Sequence, residues 1–589
     1  MTSARLVAPT LVDAVKELRH KADKGFVFIR SDGSERFCSF QEIDSEASRR
    51  GAHFAEHGVE KGDRVAIIVP DPDDFVLSFL GVIYAGGVPV PMYPQLSFKN
   101  VETYHDTVAH IVNASKATLM LTTPSMRQFV DPVMPRAKTV RELITVDQIS
   151  GPAPGVLDVK LSPEDLCFLQ FTSGSTSRPK GVMVTHGNLA ANSEAFMIHG
   201  LGKDSSVDKG VSWLPLFHDM GLIGFVIGPL FTDIPVVFLP TANFVRAPRV
   251  WLDAIHRHRG TITYAPNFAY QLVSKRVKEK DLVGLDLSCI RIAGCGAEPI
   301  QARTLHDFEA KLKPAGFNPK AYIPSYGMAE ATLAITFEKH GTGFSTDTVD
   351  AKSLTLGKAE PRPAPAPGAP DDPSVQELVG CGRPFPGHAI AIVDEAGNRL
   401  GDRQVGQIIT RGPSISQGYY EEAELTEAAF RKEADGETWL YTGDLGYVAD
   451  GNLYICGRLK DIIIVRGRNF YPSDIEWVVS ELPGVRRGNV VAFGVTVDAN
   501  GRHVEDGTGE EHIVVCAEAF QSDAAHLAEE IQKAVTDKIG LAVWKVEIVP
   551  QGSLPRTSSG KPQRRKTKQM FIDGALPKPK AGSAADEPT

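Results

Sequence analysis

Short runs of apolar, mostly β-branched residues alternate with longer amphipathic stretches through most of this chain of 589 residues. The clearest runs are RVAIIVP at 64–70, ATLMLTT at 117–123, KGVSWLP at 209–215 and PVVFLP at 235–240. Strands that alternate with helices predict α/β layers with largely parallel sheets. The apolar stretch at 221–240 has the length of a membrane span, but its Asp233, prolines and glycines favour a buried helix followed by a strand.

The pattern changes in the second half of the chain. Residues 357–376 are rich in proline, which excludes a helix or a central strand and indicates a surface linker. The stretches GHAIAIVDEAGNRL and VGQIITRG then predict hairpin strands of a smaller β-rich unit. Beyond about residue 460, the strands VVAFGV and HIVVCAEAF and a helix at about 524–539 predict a small α+β domain, followed by a disordered tail at 573–589.

Composition narrows the function classes. A hydrophobic fraction of 42% suits a large globular protein, and a net charge of −9 makes nucleic acid an improbable partner. The seven cysteines are scattered without a CxxC pair, which predicts reduced thiols in the cytoplasm. The first residues lack the apolar core and cleavage site of a signal peptide, and no membrane span is expected.

The stretch FLQFTSGSTSRPKG at 168–181 combines hydroxyls, glycines and a lysine after an apolar run. We interpret LCFLQF as a strand and HGNLAANSEAFM as a helix, so that the loop between them would aim N–H groups at phosphate, helped by the helix N-terminus. Its spacing differs from the GxxxxGK[ST] phosphate loop. Taken alone, such a stretch is more often an ordinary flexible loop.

Further motifs accompany that loop. TSGSTSRPKG resembles the phosphate loop of the acyl-adenylate-forming enzymes, and SYGMAEAT at 325–332, YTGDLGY at 441–447, GRLKD at 457–461 and LPRTSSGKPQRR at 554–565 follow in the order of that superfamily. Within it, WLPLFHDMGLIG, APNFAYQLV, GCGAEPI and RGRNFYPSDIE resemble the fatty acyl-AMP ligases. An additional stretch at 339–376 lies where those ligases carry an insertion.

The resemblance implies a site for ATP and Mg²⁺. The residues implied to embrace the β- and γ-phosphates are Thr172, Ser173, Gly174, Ser175, Thr176 and Lys180. Glu330 is implied as the Mg²⁺ ligand, and Tyr326, with Gly327 and Met328 beside it, is implied to stack on adenine. The adenine wall is assigned to Gly296, Ala297, Glu298 and Pro299, and the ribose hydroxyls to Asp444 and Arg458.

Three residues are implied to act in the reaction itself. Lys561 matches the catalytic lysine that reaches the substrate carboxylate and the α-phosphate, and His218 is implied to lie near the acyl pocket. Lys460 is implied as the hinge between an adenylation domain at 1–459 and a mobile domain at 460–572. Phe344, Val349, Leu354 and Leu356 are possible anchors that would make the insertion a brace rather than a passive linker.

The resemblance therefore implies ATP-dependent activation of a medium- or long-chain fatty acid to acyl-AMP with release of pyrophosphate. The acyl group would then pass to the phosphopantetheine thiol of an acyl carrier protein, or of a carrier domain of a polyketide or peptide synthase. A long-chain acyl-CoA synthetase that uses free CoA is the alternative. A non-catalytic acyl- or nucleotide-binding module is a third, against which the intact Lys561, Glu330 and Asp444 argue.

Overall fold

The computed structural model describes residues 6–30, 32–95, 101–172, 178–364, 372–433, 436–465, 467–498, 503–504, 509–520, 524–557 and 561–579. Its helices are α1 (Leu11–Glu17), α2 (Phe40–Glu56), α3 (Pro72–Tyr84), α4 (Val101–Ala114), α5 (Arg127–Val130), α6 (His186–Ser193), α7 (Asp219–Leu222), α8 (Gly228–Thr232), α9 (Thr241–Arg246), α10 (Arg249–His258), α11 (Asn267–Arg276), α12 (Ala302–Leu312), α13 (Ala351–Thr355), α14 (Ala423–Ala429), α15 (Pro472–Ser480), α16 (Ala524–Ile539) and α17 (Arg564–Ile572). Two π-helical segments, Glu194–Gly200 and Ile223–Ile227, extend α6 and α7. Short 3-10 turns occupy Pro124–Met126, Asp131–Arg136, Glu279–Leu282, Lys313–Ala315, Pro319–Ala321 and Ala329–Ala331.

The strands of the first half are β1 (Gly25–Ile29), β2 (Glu35–Ser39), β3 (Arg64–Ile68), β4 (Val88–Pro91), β5 (Leu119–Thr122), β6 (Glu142–Thr145), β7 (Leu166–Thr172), β8 (Lys180–Thr185), β9 (Gly210–Ser212), β10 (Val236–Phe238), β11 (Ile262–Ala265) and β12 (Ile292–Cys295). Those of the second half are β13 (Tyr322–Gly327), β14 (Ala334–Phe337), β15 (Thr346–Asp350), β16 (Val375–Val379), β17 (Arg383–Pro384), β18 (Ala389–Val393), β19 (Gly406–Arg411), β20 (Phe430–Lys432), β21 (Thr438–Ala449), β22 (Asn452–Arg458), β23 (Ile463–Val465), β24 (Arg468–Phe470), β25 (Val485–Val497), β26 (Glu510–Ala519) and β27 (Val543–Val549).

Two mostly parallel sheets form the framework of the larger part of the chain. The nine-stranded sheet has the order β17-β14-β13-β12-β11-β9-β10-β1-β2, and all its pairs from β13 to β1 are parallel. The second sheet, β4-β3-β5-β6, is parallel throughout. One apolar cluster includes residues of both sheets and of α2 and α3. The predicted α/β class is confirmed, as is the helix-then-strand interpretation of residues 221–240.

The interpretation of TSGSTSRPKG as a strand-to-helix loop is wrong. Residues 180–185 form β8, which pairs antiparallel with β7 so that Thr172 lies opposite Lys180. Val182 and Val184 are fully buried while Met183 between them is partly exposed, which is the alternation of a half-buried strand. The helix α6 begins after β8, where the hydroxyl of Thr185 caps it by accepting from the Asn188 N–H. The loop therefore connects two strands of a hairpin, and no helix follows it directly.

The second half of the chain contains the predicted smaller units. β18 and β19 pair antiparallel and continue through β21 to β20 and β22, which confirms the predicted hairpin strands. The last unit has a three-stranded sheet, β25-β26-β27, against which α16 packs Leu527, Ile531 and Val535. This confirms the predicted α+β composition. In the predicted tail, Leu576 packs against an apolar cluster that contains Val549, and residues 580–589 lie outside the described residues.

The stretch at 339–376 has secondary structure of its own. β15 and β16 pair antiparallel and α13 follows β15, while residues 365–371 lie outside the described residues. Val349 and Leu354 are buried, and the ring of Phe344 packs 5.6 Å from that of Tyr322. Leu356, the fourth predicted anchor, is 62% exposed, so that prediction is wrong. It lies at the C-terminal end of α13, where the chain turns away from the apolar cluster.

No helix in the described part of the chain combines the length and apolar character required to cross a membrane.

Candidate active site

The residues predicted to bind substrates gather at the carboxyl ends of the parallel strands β9, β11, β12 and β13. His218 follows β9, Gly296 follows β12, and Tyr326 and Gly327 end β13. This edge is where open parallel sheets bind ligands, because the loops that leave the strands diverge there. The parallel order of the sheet thus brings together residues that are far apart in the sequence.

An apolar cavity opens at this edge, with about 630 Å³ of space that includes its open mouth. Its lining includes Phe196, Leu201, Phe225, Tyr264, Leu333 and Phe337, together with backbone of Gly296, Ala297 and Gly327. Tyr264 occupies its place because Gly294 has no side chain: a Cβ there would lie 1.9 Å from Tyr264 Cζ. Such a cavity suits an apolar ligand whose polar end remains at the strand termini.

Tyr326, Asp444 and Arg458 form one hydrogen-bonded group beside the cavity. The Tyr326 hydroxyl donates to Asp444 Oδ2 over 2.8 Å, and Arg458 Nε lies 3.2 Å from Asp444 Oδ1. Burial raises the pKa of Asp444, whereas Arg458 and the Tyr326 hydroxyl act in the opposite direction. Asp444 therefore presents a buried carboxylate with defined partners on both oxygens.

Glu330 lies in the 3-10 turn Ala329–Ala331 and is buried. The hydroxyl of Tyr419 donates to Glu330 Oε1 over 2.8 Å, and the Ser416 N–H donates to the backbone carbonyl of Glu330 over 2.9 Å. Burial raises the pKa of Glu330, and the Tyr419 hydroxyl opposes this. The backbone N–H of Glu330 also lowers the pKa of its own carboxyl group.

This geometry fits Mg²⁺ held together with a nucleotide. In the described part of the chain, no three His, Cys, Asp or Glu side chains cluster as a metal site would require. Mg²⁺ is commonly bound by one or two carboxylates while phosphate oxygens and water complete its octahedron. A single buried carboxylate such as that of Glu330 is consistent with that mode.

Lys180, predicted to bind phosphate, begins β8 with its ammonium 5.0 Å from the centre of the Tyr419 ring. Burial lowers the pKa of Lys180, as does nearby Lys460, whereas Glu330 raises it. Thr172 lies opposite Lys180 on β7. The remaining predicted phosphate ligands, Ser173, Gly174, Ser175 and Thr176, lie outside the described residues.

Of the residues predicted to form the adenine wall, 296–299, Gly296 and Ala297 line the cavity. Gly296 packs against Ser325, since a Cβ there would lie 2.8 Å from Ser325 Oγ, and Ala297 has a φ of +69°. Glu298 turns away to accept a 2.6 Å hydrogen bond from the N–H of Phe268 in the first turn of α11. Pro299 is exposed, and Met328 is half-buried against an apolar cluster. Neither Pro299 nor Met328 lines the cavity.

Lys561 reaches this edge from the C-terminal unit. Its N–H donates to Thr557 Oγ1 over 3.1 Å, and residues 558–560 between them lie outside the described residues. Lys561 is exposed, yet desolvation by the surrounding protein lowers its pKa, whereas Asp219 and Glu298 raise it. The structure thus places this lysine within the electrostatic reach of the predicted site.

His218 and Asp219 lie within electrostatic range of Lys561. Burial lowers the pKa of His218 to about 4, and His218 Nε2 has no hydrogen-bond partner among the described residues. Asp219 lines the cavity and is the strongest favourable charge for Lys561. The sequence patterns did not predict Asp219 or Tyr419 as site residues, although the adjacency of Asp219 to His218 was an available signal.

The two residues next to Lys460 in the sequence, Leu459 and Asp461, bond to different parts of the structure. The N–H of Leu459 donates to the carbonyl of Gly443 over 2.9 Å, which ties Leu459 to the turn before Asp444. Asp461 lies 2.5 Å from Arg564 Nη1, which ties it to the C-terminal unit. Lys460 thus lies between a residue bonded to the turn at Gly443 and a residue bonded to Arg564.

A parallel sheet with an apolar cavity at its carboxyl edge is typical of an enzyme of the adenylate-forming class when, as here, a buried carboxylate beside the cavity accepts a hydrogen bond from a tyrosine hydroxyl. The family model for AMP-binding enzymes matches residues 16–420. The chain belongs to this family, and within it to the fatty acyl-AMP ligases.

Several relatives are similar to this chain over nearly its whole length. A putative acyl-CoA synthetase of Caulobacter vibrioides is 37% identical over 88% of this chain and 87% of its own length. The medium-chain-fatty-acid acyl-carrier-protein ligase JamA of Moorena producens is 32% identical over 96% of each chain. A solved structure from a study of fatty acyl-adenylate ligases of E. coli and L. pneumophila is similar with a TM-score of 0.87, at 34% identity, over 96% of this chain and 98% of the other.

Proposed function

We propose that this protein activates a medium- or long-chain fatty acid with ATP and transfers the acyl group to the phosphopantetheine thiol of an acyl carrier protein. The observation that carries the proposal is the apolar cavity, whose lining includes Tyr326 and Asp219. Tyr326 is hydrogen-bonded to Asp444, and Asp219 is the main charge that raises the pKa of Lys561. An acyl chain in the cavity would direct its carboxylate towards these residues. Each methylene it buries contributes about 0.8 kcal/mol before the costs of binding.

The first half-reaction joins two anions. A carboxylate oxygen of the fatty acid attacks the α-phosphorus of ATP, the bond from that phosphorus to the bridging oxygen breaks, and pyrophosphate leaves. Lys561 offsets the repulsion between the two anions, and Lys180 with Thr172 and the 173–176 loop holds the β- and γ-phosphates. Asp444 with Arg458 holds the ribose hydroxyls, and Tyr326 and residues 296–299 border the adenine. Bound through Glu330, Mg²⁺ would neutralise phosphate charge.

His218 is proposed to stay neutral beside the carboxylate. Burial keeps its pKa at about 4, so the ring carries no charge at pH 7 and can contact the carboxylate through an N–H group. In the second half-reaction the carrier thiolate attacks the acyl carbonyl carbon and AMP leaves. Residues 460–572 would rotate about Lys460 between the two steps, relative to the adenylation domain at 1–459.

The carrier is proposed as acceptor because JamA, similar over nearly the whole chain, is an acyl-carrier-protein ligase. A carrier domain of a polyketide or peptide synthase is an equivalent partner of the same chemistry. The similarity to a putative acyl-CoA synthetase keeps free CoA as the alternative acceptor. All seven cysteines are free thiols, which is typical of a cytoplasmic protein.

The test has two stages. Fatty-acid-dependent exchange of labelled pyrophosphate into ATP, measured over chain lengths, reports the first half-reaction and is expected to favour long chains over acetate. The second stage supplies either CoA or a phosphopantetheinylated carrier protein, and the carrier is expected to be acylated while CoA is not. Absence of exchange with every fatty acid would contradict an enzymatic role, and efficient acyl-CoA formation would contradict the carrier assignment.

A further inference from the structure

The segment 417–420 runs antiparallel to β8 and pairs with it through an isolated bridge between Val182 and Tyr419. Met183 donates its N–H to the carbonyl of Gly418, and the Tyr420 N–H donates to the carbonyl of Gly181, over 2.9 and 2.8 Å. Gly418 has a φ of +105°, and a Cβ there would lie 2.3 Å from Thr426 Cγ2, so the turn requires glycine. This pairing fixes the backbone of Tyr419 next to the strand that begins at Lys180.

The same segment is tied to the turn that carries Glu330. The Ser416 N–H donates to the carbonyl of Glu330, and Thr332 Oγ1 donates to the carbonyl of Ser414, over 2.9 and 2.6 Å. Asn188, in the first turn of α6, donates to the carbonyls of both Pro413 and Ile415. Residues 413–420 therefore connect β8 rigidly to the Glu330 turn.

Tyr419 itself contacts both charged groups. Its hydroxyl donates to Glu330 Oε1 over 2.8 Å, and its ring centre lies 5.0 Å from Lys180 Nζ. Glu330 raises the pKa of Lys180, so the two groups attract each other, yet no salt bridge joins them within the described residues. Tyr419 thus contacts both groups.

We propose that Tyr419 is a positioning residue that holds the Glu330 carboxylate for Mg²⁺ and prevents Lys180 from closing on it, so that the metal and the β- and γ-phosphates can enter between them. The inference rests on the proposed function, because it takes Glu330 and Lys180 as groups that bind magnesium nucleotide. Metal-binding carboxylates are usually oriented by a hydrogen bond from a neighbouring group, whose loss typically costs 10–100-fold in metal affinity.

Two substitutions separate the hydroxyl from the ring. Tyr419→Phe removes only the donor to Glu330 and keeps the ring under Lys180. Tyr419→Leu removes both, which allows Lys180 and Glu330 to pair and occupy the space for phosphate. The matched control is Tyr420→Phe, which removes the same hydroxyl group from the next residue. The ring of Tyr420 lies 5.7 Å from the Arg64 guanidinium.

The primary measurement is isothermal titration calorimetry of the full-length protein with ATP, with and without Mg²⁺. For Tyr419→Phe we expect affinity for MgATP to fall about 10-fold or more while affinity for metal-free ATP stays within about 2-fold. For Tyr419→Leu we expect both affinities to fall. Pyrophosphate exchange should show the concentration of Mg²⁺ at half-maximal rate rising about 10-fold in Tyr419→Phe, with the KM for fatty acid unchanged.

A double-mutant cycle that combines Tyr419→Phe with Glu330→Asp tests whether the loss of MgATP affinity comes from the contact between these two residues. Glu330→Asp withdraws the carboxylate from Tyr419 by one methylene, so Tyr419→Phe added to it should cause no further loss of MgATP affinity. Thermal unfolding identifies any variant that does not fold, and the Glu330→Asp protein then tests the same contact from the other side.

The outcomes are distinct. Unchanged MgATP affinity in folded Tyr419→Phe, or additive losses in the cycle, would overturn the inference and leave the proposed function untouched. If the wild-type protein binds MgATP as expected but shows no exchange with any fatty acid, the proposed function fails while the calorimetry still decides the role of Tyr419.

Discussion

Two polar contacts join the stretch at 339–376 to the C-terminal unit. Gln376 Nε2 donates to Asp474 Oδ2 over 2.9 Å, and Arg468 Nε donates to Thr355 Oγ1 over 3.0 Å. Val349 and Leu354 share an apolar cluster with Tyr471 of that unit. These contacts support the brace hypothesis, because each would break if residues 460–572 rotated.

Replacing Gln376 by Ala and Thr355 by Val removes both polar contacts and leaves the apolar cluster intact. Burial raises the pKa of Asp474 to about 7, so the carboxyl group is partly protonated at neutral pH, and the Gln376 amide favours its charged form. A hydrogen bond contributes about 0.5–1.5 kcal/mol, so the two contacts together contribute about 1–3 kcal/mol, and about 1.4 kcal/mol corresponds to a factor of ten. We therefore expect the double variant to form about 10–100-fold more acyl-CoA per acyl-AMP than the wild-type protein.

The assay separates acyl-AMP from acyl-CoA chromatographically after incubation with ATP, fatty acid and CoA. The control is Lys358→Ala, which breaks an exposed ion pair with Glu360 inside the same stretch and should leave the ratio unchanged. An unchanged ratio in the folded double variant would refute the brace. Abundant acyl-CoA from the wild-type protein would refute carrier specificity as well.

Three further predictions concern the site and the fold. Lys561→Ala should lower pyrophosphate exchange by about 10²–10³-fold without changing the thermal unfolding midpoint, and near-normal exchange would exclude the role proposed for Lys561. Lys460→Pro fixes φ near −65° and should uncouple the two half-reactions; an equal loss of both, with unchanged scattering profiles, would argue against a hinge. Burial lowers the pKa of His186 to about 4, and His186 Nδ1 accepts from the Leu11 N–H over 3.1 Å. As pH falls from about 6.5 to about 4, His186 therefore takes up a proton in the unfolded chain before it does so in the folded protein. The free energy of unfolding, measured with urea, should decrease through that window by up to about 3 kcal/mol. The variant His186→Asn keeps a hydrogen-bond acceptor but has no titrating ring, so its free energy of unfolding should decrease less.

The α/β class could be predicted from the amino-acid sequence, because the spacing of apolar residues along the chain is a local property. Runs such as 64–70 and 117–123 became β3 and β5, and the helix at 524–539 has the bounds of α16. The order of the motifs also determined the family, since each motif keeps its residue types wherever the chain places it. Composition excluded neither of the possible acceptors.

The phosphate loop shows where local reasoning ended. The residues after Lys180 alternate as in a strand, but the pattern of HGNLAANSEAFM that follows them predicts a helix, and the loop was therefore predicted to lead into that helix. Pairing with β7 and with 417–420 makes β8 a strand, and both pairings depend on segments outside the stretch itself. Leu356 was likewise chosen as an anchor for its apolar character, although burial depends on which way α13 faces.

The contacts within the site were decided by the tertiary structure. The turn at Asp450 and Gly451 alone would place Asp444 opposite Gly457, but a β-bulge between the Leu445 and Gly446 pairs shifts the register and brings Arg458 opposite Asp444 instead. Tyr419 meets Glu330 across 89 residues of sequence because 417–420 joins β8. The sequence shows which residues have side chains able to bind phosphate, ribose or a metal ion. Which of these residues meet depends on the pairing of distant strands, because hydrogen-bond register is a property of two segments at once.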